Sequence, residues 1–342
     1  MPGYRFEIDV FKDEGARLGR MPLLVDWLPA REWAWFNGVR RGELPASLSL
    51  SNATVTVQPA WNASLGQPYI SGFELRVWSH GSGGTTSRFT TAYFHGLAEQ
   101  ISTELVEQGL LKPNELFRFV ISAHEDSQSA PHDDQGGPFK VVSVEPPLSM
   151  RETAIDGFLE RAVAFTPLDD VEMPVFVPWP VLQEAAALTR RAGALETGGI
   201  LIGHLHHDGR LPEVFAEITA QIPAHHAQSG LAKLTFTPDT WAAVHAAIAL
   251  RNKGESYLGW WHSHSFLKET CKEPAQRRAG LKLSASFFSP EDLHLQRTVF
   301  SRAFHVALVA ADSPCSGLTW SAYGWRAGMI SLRSYHILGL GN

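Results

Sequence analysis

The sequence predicts an α/β (α+β) protein of two domains, and three observations carry that expectation. A chain of 342 residues is too long for one ordinary core and suits two domains of roughly 150 to 180 residues. Stretches with the period of a strand and stretches with the period of a helix are interspersed in both halves. Near the middle, Pro167, Pro174, Pro178 and Pro180 crowd together with Asp169, Asp170 and Glu172. No regular helix accepts prolines at that density, and the acidic run stays solvated. The expected division is an N-terminal α/β domain over residues 1–165, a proline-rich linker over 166–180 and a C-terminal domain over 181–342.

Composition narrows the class. An apolar content of 44% against 19% charged is a globular balance, and 11 Trp with 19 Phe supply bulk for burial. The formal charge of −6 opposes general nucleic-acid binding, which needs clustered Lys and Arg against phosphate. With only Cys271 and Cys315, the chain builds neither a disulfide framework nor a zinc site of thiolates alone, which fits a reducing compartment. The first residues, Met1-Pro2-Gly3-Tyr4-Arg5-Phe6-Glu7, lack a basic segment followed by an apolar one, and no run of about 18 apolar residues occurs. A cytoplasmic protein with no membrane and no nucleic-acid partner is expected.

In the N-terminal half, Tyr4, Phe6, Ile8 and Val10 alternate with Arg5, Glu7 and Asp9, the pattern of a strand with one buried face. Residues 54–58 and 71–78 repeat it. Leu97, Ile101, Leu105 and Leu110 fall at helical intervals up to about Gly109, and 116–121 reads as another strand. The glycine-rich stretch His80-Gly81-Ser82-Gly83-Gly84-Thr85-Thr86-Ser87 lacks the Lys-Ser/Thr ending of a phosphate-binding loop, so a hairpin or loop is expected. His124-Glu125-Asp126 and His132-Asp133-Asp134 hold donors for a cation, but the cluster sits in a Ser, Gln, Gly and Pro-rich stretch from Ser127 to Pro138 and reads as a solvated loop. Residues 1–270 contain no cysteine, so this half cannot carry a thioester through one. A recognition or assembly module is expected.

Within the linker, Val175-Phe176-Val177 suits an edge strand. Residues 179–192 follow as a helix, with Val181, Leu182, Ala185 and Leu188 on one face and Arg190 and Arg191 near the end whose dipole favours them. Residues 196–203 are a turn entering a buried strand, which puts Glu196 at the strand mouth. Residues 214–222 and 232–236 supply two more strands. Thr237 then caps a helix with Pro238 in its first turn, and 257–261 is the strand that delivers His262.

The residues built for chemistry are His262, His264, Asp292, Glu196 and Ser289. Alternate side chains of a strand share a face, so His262 and His264 can reach one Zn²⁺ at about 2.0–2.1 Å. Asp292 offers a third, hard ligand, and three protein ligands leave a fourth position for water, as in a catalytic site. Glu196 is the candidate proton carrier and Ser289 the candidate donor to a developing oxyanion. Each element has a plainer account. His-x-His recurs by chance, Ser289-Pro290-Glu291-Asp292 is a good helix start in its own right, and Glu196 reads as a turn carboxylate.

Taken in this order, the residues resemble the JAMM or MPN+ metalloproteases, which include deubiquitinases and related isopeptidases. The family pattern of an upstream Glu, His-x-His and Ser-x-x-Asp is matched by Glu196, His262, His264, Ser289 and Asp292. The stretches Glu-Thr-Gly-Gly-Ile-Leu-Ile-Gly at 196–203 and Gly-Trp-Trp-His-Ser-His at 259–264 extend the match over roughly residues 175–335. The resemblance implies a mixed sheet flanked by helices and one catalytic zinc ion. It also implies cleavage after the C-terminal tail of a ubiquitin or ubiquitin-like protein, in a conjugate or a precursor. A bacterial-type conjugation system is the implied setting, with its proteins as partners of the N-terminal domain. Ser265 replaces the family's usual proline, and the spacer before Ser289 is longer than usual. That insertion, about 266–288, holds Cys271 and the basic residues Lys268, Lys272, Arg277, Arg278 and Lys282. It reads either as a substrate-selecting segment or as a polar loop.

Two other functions fit parts of the pattern. Many MPN domains are catalytically silent scaffolds, although those usually lack the ligands present here. A zinc deaminase would need His-x-Glu and Pro-Cys-x-x-Cys, whereas the chain has His262-Ser263-His264 and Pro314-Cys315-Ser316-Gly317. His204, His206, His207, His225, His226, His245 and His294 are expected to be surface or satisfied core residues.

Overall fold

The computed structural model describes residues 3–63, 68–79, 81–126, 148–164, 171–193, 195–224, 228–229, 234–264, 287–313 and 317–340. These fall into two compact units, the first within Met1–Val39 and Glu43–Pro147 and the second within Arg40–Gly42 and Leu148–Asn342.

The first stretch of chain runs β1 (Gly3–Lys12), β2 (Arg17–Pro22), α1 (Leu28–Arg40), β3 (Thr54–Asn62), β4 (Tyr69–Ser79), β5 (Ser82–Thr90), α2 (His95–Glu107) and β6 (Phe117–Asp126). Two antiparallel sheets result, ordered β2-β1-β6 and β3-β4-β5. Phe6, Ile8 and Val10 are buried along one face of β1, as their alternation predicts. The glycine-rich stretch is the β4–β5 hairpin, and its turn uses Gly81 at φ +84°, a conformation that favours glycine. His124, Glu125 and Asp126 are not loop residues: they continue β6, opposite Arg5, Tyr4 and Gly3 of β1. His132-Asp133-Asp134 lies outside the described residues. Helix α1 has no counterpart in the sequence reading, because residues 32–39 are buried on every side and carry no amphipathic period.

The second unit continues with β7 (Met150–Glu152), α3 (Asp156–Leu159), β8 (Ala162–Ala164), β9 (Val175–Pro178), α4 (Trp179–Ala192), β10 (Gly198–Asp208), β11 (Glu213–Pro223), β12 (Gln228–Ser229), β13 (Leu234–Thr235), α5 (Pro238–Arg251), β14 (Ser256–His264), α6 (Pro290–Thr298), β15 (Val306–Ser313), β16 (Gly317–Arg326), β17 (Met329–Arg333) and β18 (His336–Leu338). One mixed sheet is ordered β17-β16-β15-β14-β10-β11-β9-β18-β8, with β7 also paired to β10. β14–β15, β11–β9, β9–β18 and β10–β7 are parallel, and the other neighbours on that path are antiparallel.

This arrangement moves two expected features. The chain from Leu148 onward belongs to the second unit, ahead of the linker expected over 166–180 and the domain expected from 181, because β7 and β8 pair within its sheet. β9, expected in a linker as an edge strand, lies inside the sheet between β11 and β18. Residues 165–170 of that linker lie outside the described residues.

Helices cover both faces of the sheet. Ile200, Ile202, Trp260, Ala307 and Val309 pack with Val244 of α5 and with Phe300 on one side. α4 lies against β9, β10, β11 and β15. Thr237 caps α5 by accepting from the Thr240 N–H. The strands approach closely at Gly259, where a Cβ would stand 1.8 Å from the Val306 carbonyl oxygen, so only glycine keeps β14 and β15 in register there. Among the described residues no helix is long and apolar enough to cross a membrane.

Candidate metal centre

β10 and β14 pair antiparallel with Gly198 opposite His262. The pairing is prolonged past the start of β10: the Ser263 N–H donates to the Thr197 carbonyl at 2.8 Å, and the Thr197 N–H donates to Ser263 Oγ at 3.1 Å. Ser263 therefore ties down the residue after Glu196. Both imidazoles are buried, which follows from their place on a central strand.

Asp292 arrives from the opposite side on α6. Ser289 accepts from the Asp292 N–H at 3.0 Å while Asp292 Oδ2 accepts from the Ser289 N–H at 2.8 Å, a reciprocal cap with Pro290 in the first turn. The same carboxylate faces the histidines. His262 Nε2 lies 3.0 Å from His264 Nε2 and 3.2 Å from Asp292 Oδ1, and His264 Nε2 lies 3.6 Å from Asp292 Oδ2. Tetrahedral zinc with bonds of about 2.0–2.1 Å separates its ligand atoms by about 3.3 Å. The three groups fit that requirement and form a group able to hold a metal ion. Burial alone would raise the Asp292 carboxyl, but the two imidazoles and the Ser289 N–H outweigh it and hold it well below the usual carboxylate range.

Glu196 is only 6% exposed. Burial, with the negative charges of Asp292 and Glu291 adding to it and His264 opposing, pushes its carboxyl from the ordinary 4.5 up to about 7. Between those values the folded metal-free chain binds more protons at this group than the unfolded chain does. Its contribution to stability therefore falls as pH rises from about 4.5 to 7. Metal-free Glu196→Gln is expected to be more stable than the wild type by about 1–3 kcal/mol at pH 8, with the difference gone at pH 4. Urea titrations at the two pH values check this, and a difference that grows toward acid would contradict it.

Residues 178–266 match a family model described as prokaryotic homologs of the JAB domain. The C-terminal half carries a JAB/MPN-like domain. The matched segment of that JAB-like domain contains Glu196, His262 and His264 and stops before Ser289 and Asp292. No curated protein matches the chain at a significant level. A solution structure of protein DSY2949 from Desulfitobacterium hafniense is similar over 48% of this chain and 92% of that one, at 17% identity and a TM-score of 0.31. That likeness is too low to bear on fold or function.

The remaining expected residues sit apart. His204, His206 and His207 lie within β10, where His206 bridges Thr153 Oγ1 and Glu217 Oε2 at 3.0 Å each and is a satisfied core residue. His245 on α5 and His294 on α6 are exposed. His225, His226, Ser265, Cys271, Cys315 and the basic residues of the insertion lie outside the described residues. The sequence reading passed over Gln296. Its spacing of one helical turn from Asp292 was the available clue, since residues i and i+4 share a helix face.

Proposed function

We propose that the JAB-like domain is a zinc-dependent peptidase that cleaves after the C-terminal tail of a ubiquitin-like protein, releasing it from a conjugate or a precursor. The observation that carries this reading is the convergence of His262, His264 and the Asp292 carboxylate at zinc-ligand spacing, beside a buried glutamate whose carboxyl is raised to about 7. The substrate class rests on the resemblance of the motifs. The unit preceding this domain is read as the module that recognises the substrate or its conjugation partners.

His262, His264 and Asp292 would hold the ion. When bound, zinc supplies Lewis acidity that polarises a water and the scissile carbonyl. To bind the ion, His262 and His264 would present Nε2 lone pairs and so carry their protons on Nδ1. Glu196 takes a proton as water attacks the carbonyl and returns it to the departing amine, a task suited to a carboxyl near neutrality. The helix cap uses the Ser289 oxygen as an acceptor. Its O–H hydrogen is therefore available to donate toward the carbonyl oxygen as negative charge develops there.

The test is zinc content of the purified full chain together with processing of fusions in which a ubiquitin-like carrier precedes a reporter. One zinc per chain and release of the carrier at its C-terminal residue are expected. A chain that takes up no stoichiometric zinc and leaves every carrier fusion intact would point to a scaffold.

A further inference from the structure

Trp260, His262 and His264 share one face of β14, and Asp292 and Gln296 share one face of α6. Strand and helix meet in two rungs. One is the His262–Asp292 approach; the other is a hydrogen bond from Trp260 Nε1–H to Gln296 Oε1 at 2.8 Å. Neither Trp260 nor Gln296 is exposed to solvent.

Gln296 is saturated. Besides accepting from Trp260, its amide nitrogen donates to the Phe300 carbonyl at 3.2 Å and the His305 carbonyl at 3.3 Å. Those two carbonyls flank the connection from α6 to β15, and β15 is the parallel neighbour of β14. The glutamine thus binds helix, connection and strand at one point. Its orientation is dictated by its partners, since the indole can only donate and the carbonyls can only accept.

Trp260 in turn sets the ring of His262. The indole stacks on the imidazole with centroids 4.6 Å apart and planes 13° from parallel. A metal-binding histidine ordinarily has its second ring nitrogen oriented by a hydrogen bond. Nδ1 of His262 is buried with no such partner among the described residues. The stacked indole is in place to orient the ring.

We propose that Trp260 and Gln296 are positioning residues of the metal centre, their hydrogen bond fixing both the tilt of the His262 ring and the distance from β14 to Asp292. This rests on the metal reading above. It departs from the family match, which ends before Gln296.

The test measures zinc dissociation constants by chelator competition, and the visible spectrum of Co²⁺-substituted protein, for full-length wild type, Gln296→Met and Trp260→Phe. The control is Gln221→Met, which breaks a like bond, Trp261 Nε1–H to Gln221 Oε1 at 3.1 Å. Trp261 neighbours Trp260 on the strand and so faces the other side of the sheet. Zinc binding is expected to weaken by about 10–100-fold in Gln296→Met and in Trp260→Phe, with shifted Co²⁺ bands. The double variant should be little weaker than either single one, because both break the same link. Gln221→Met should lose stability but keep wild-type affinity and spectrum. Unchanged zinc affinity in Gln296→Met and Trp260→Phe overturns the proposal, and so does equal weakening in Gln221→Met. A wild type that binds no stoichiometric zinc overturns the metal reading and this inference with it. If Gln296→Met does not fold, Trp260→Phe decides, since it removes the donor while keeping an aromatic ring, though a smaller one, beside His262.

Discussion

Glu196→Gln is expected to keep the fold, bind one zinc per chain and lose about 10²–10⁴-fold in turnover of a carrier fusion, the usual worth of a positioned general base. The substitution preserves the side chain's length and removes its capacity to take up a proton. Glu196 lies outside the trio of groups that converge at ligand distance, so metal content should not change. The pH profile supplies a second reading of the same variant. Wild-type turnover should respond to pH where the carboxyl titrates, while the residual rate of Glu196→Gln should not follow that group. Single-turnover rates with equal zinc loading check both. A variant that cleaves at the wild-type rate would remove Glu196 from the chemistry, and one that loses zinc would make it a ligand. An uncleaved fusion that stays bound to the variant would identify the carrier directly.

Asp292→Asn should separate the two tasks of that residue. The amide oxygen can still accept from the Ser289 N–H, so the helix cap, whose loss costs about 1 kcal/mol, is largely retained. The charge is gone, and with it the hard anionic ligand opposite two neutral imidazoles. Zinc affinity is expected to fall by more than about 100-fold, beyond what an outer partner such as Gln296 controls. Ser289→Ala should do the reverse, destabilising the helix start while leaving zinc bound. Chelator competition alongside thermal unfolding of both variants distinguishes the outcomes. Wild-type zinc affinity in Asp292→Asn would mean that the carboxylate only caps the helix.

Much of this was legible because it is encoded over a few residues. The alternation in β1, the cap at Thr237, the reciprocal cap at Ser289 and the pairing of His262 with His264 on one strand face all follow from local periods of two or of a single helical turn. What escaped was set by partners far along the chain. Residues 124–126 look like the edge of a polar loop until β1 pairs with them. Among the described residues, the prolines read as linker punctuation sit at ends, where they break nothing: Pro174 just precedes β9, Pro178 closes it, and Pro178 and Pro180 frame the first turn of α4, where a missing N–H is harmless. Helix α1 lacks a polar face to betray it. The link from Trp260 to Gln296 joins residues 36 apart in sequence, and no window of ordinary width contains both.

β18 has a consequence for the order in which the protein matures. Residues 336–338 insert between residues 162–164 and residues 175–178, so two strands wait for one made much later in the chain. Until then β8 and β9 present bare edges, the kind of surface that recruits foreign strands. Synthesis proceeds from the N-terminus, and the segment from Glu196 to Asp292 lies inside the loop that β18 closes. Every group proposed for cleavage is therefore polymerised before the sheet that carries it can be finished. Long-range closure of this kind is slow, so the sheet that carries the histidines is completed by a strand distant from them in sequence.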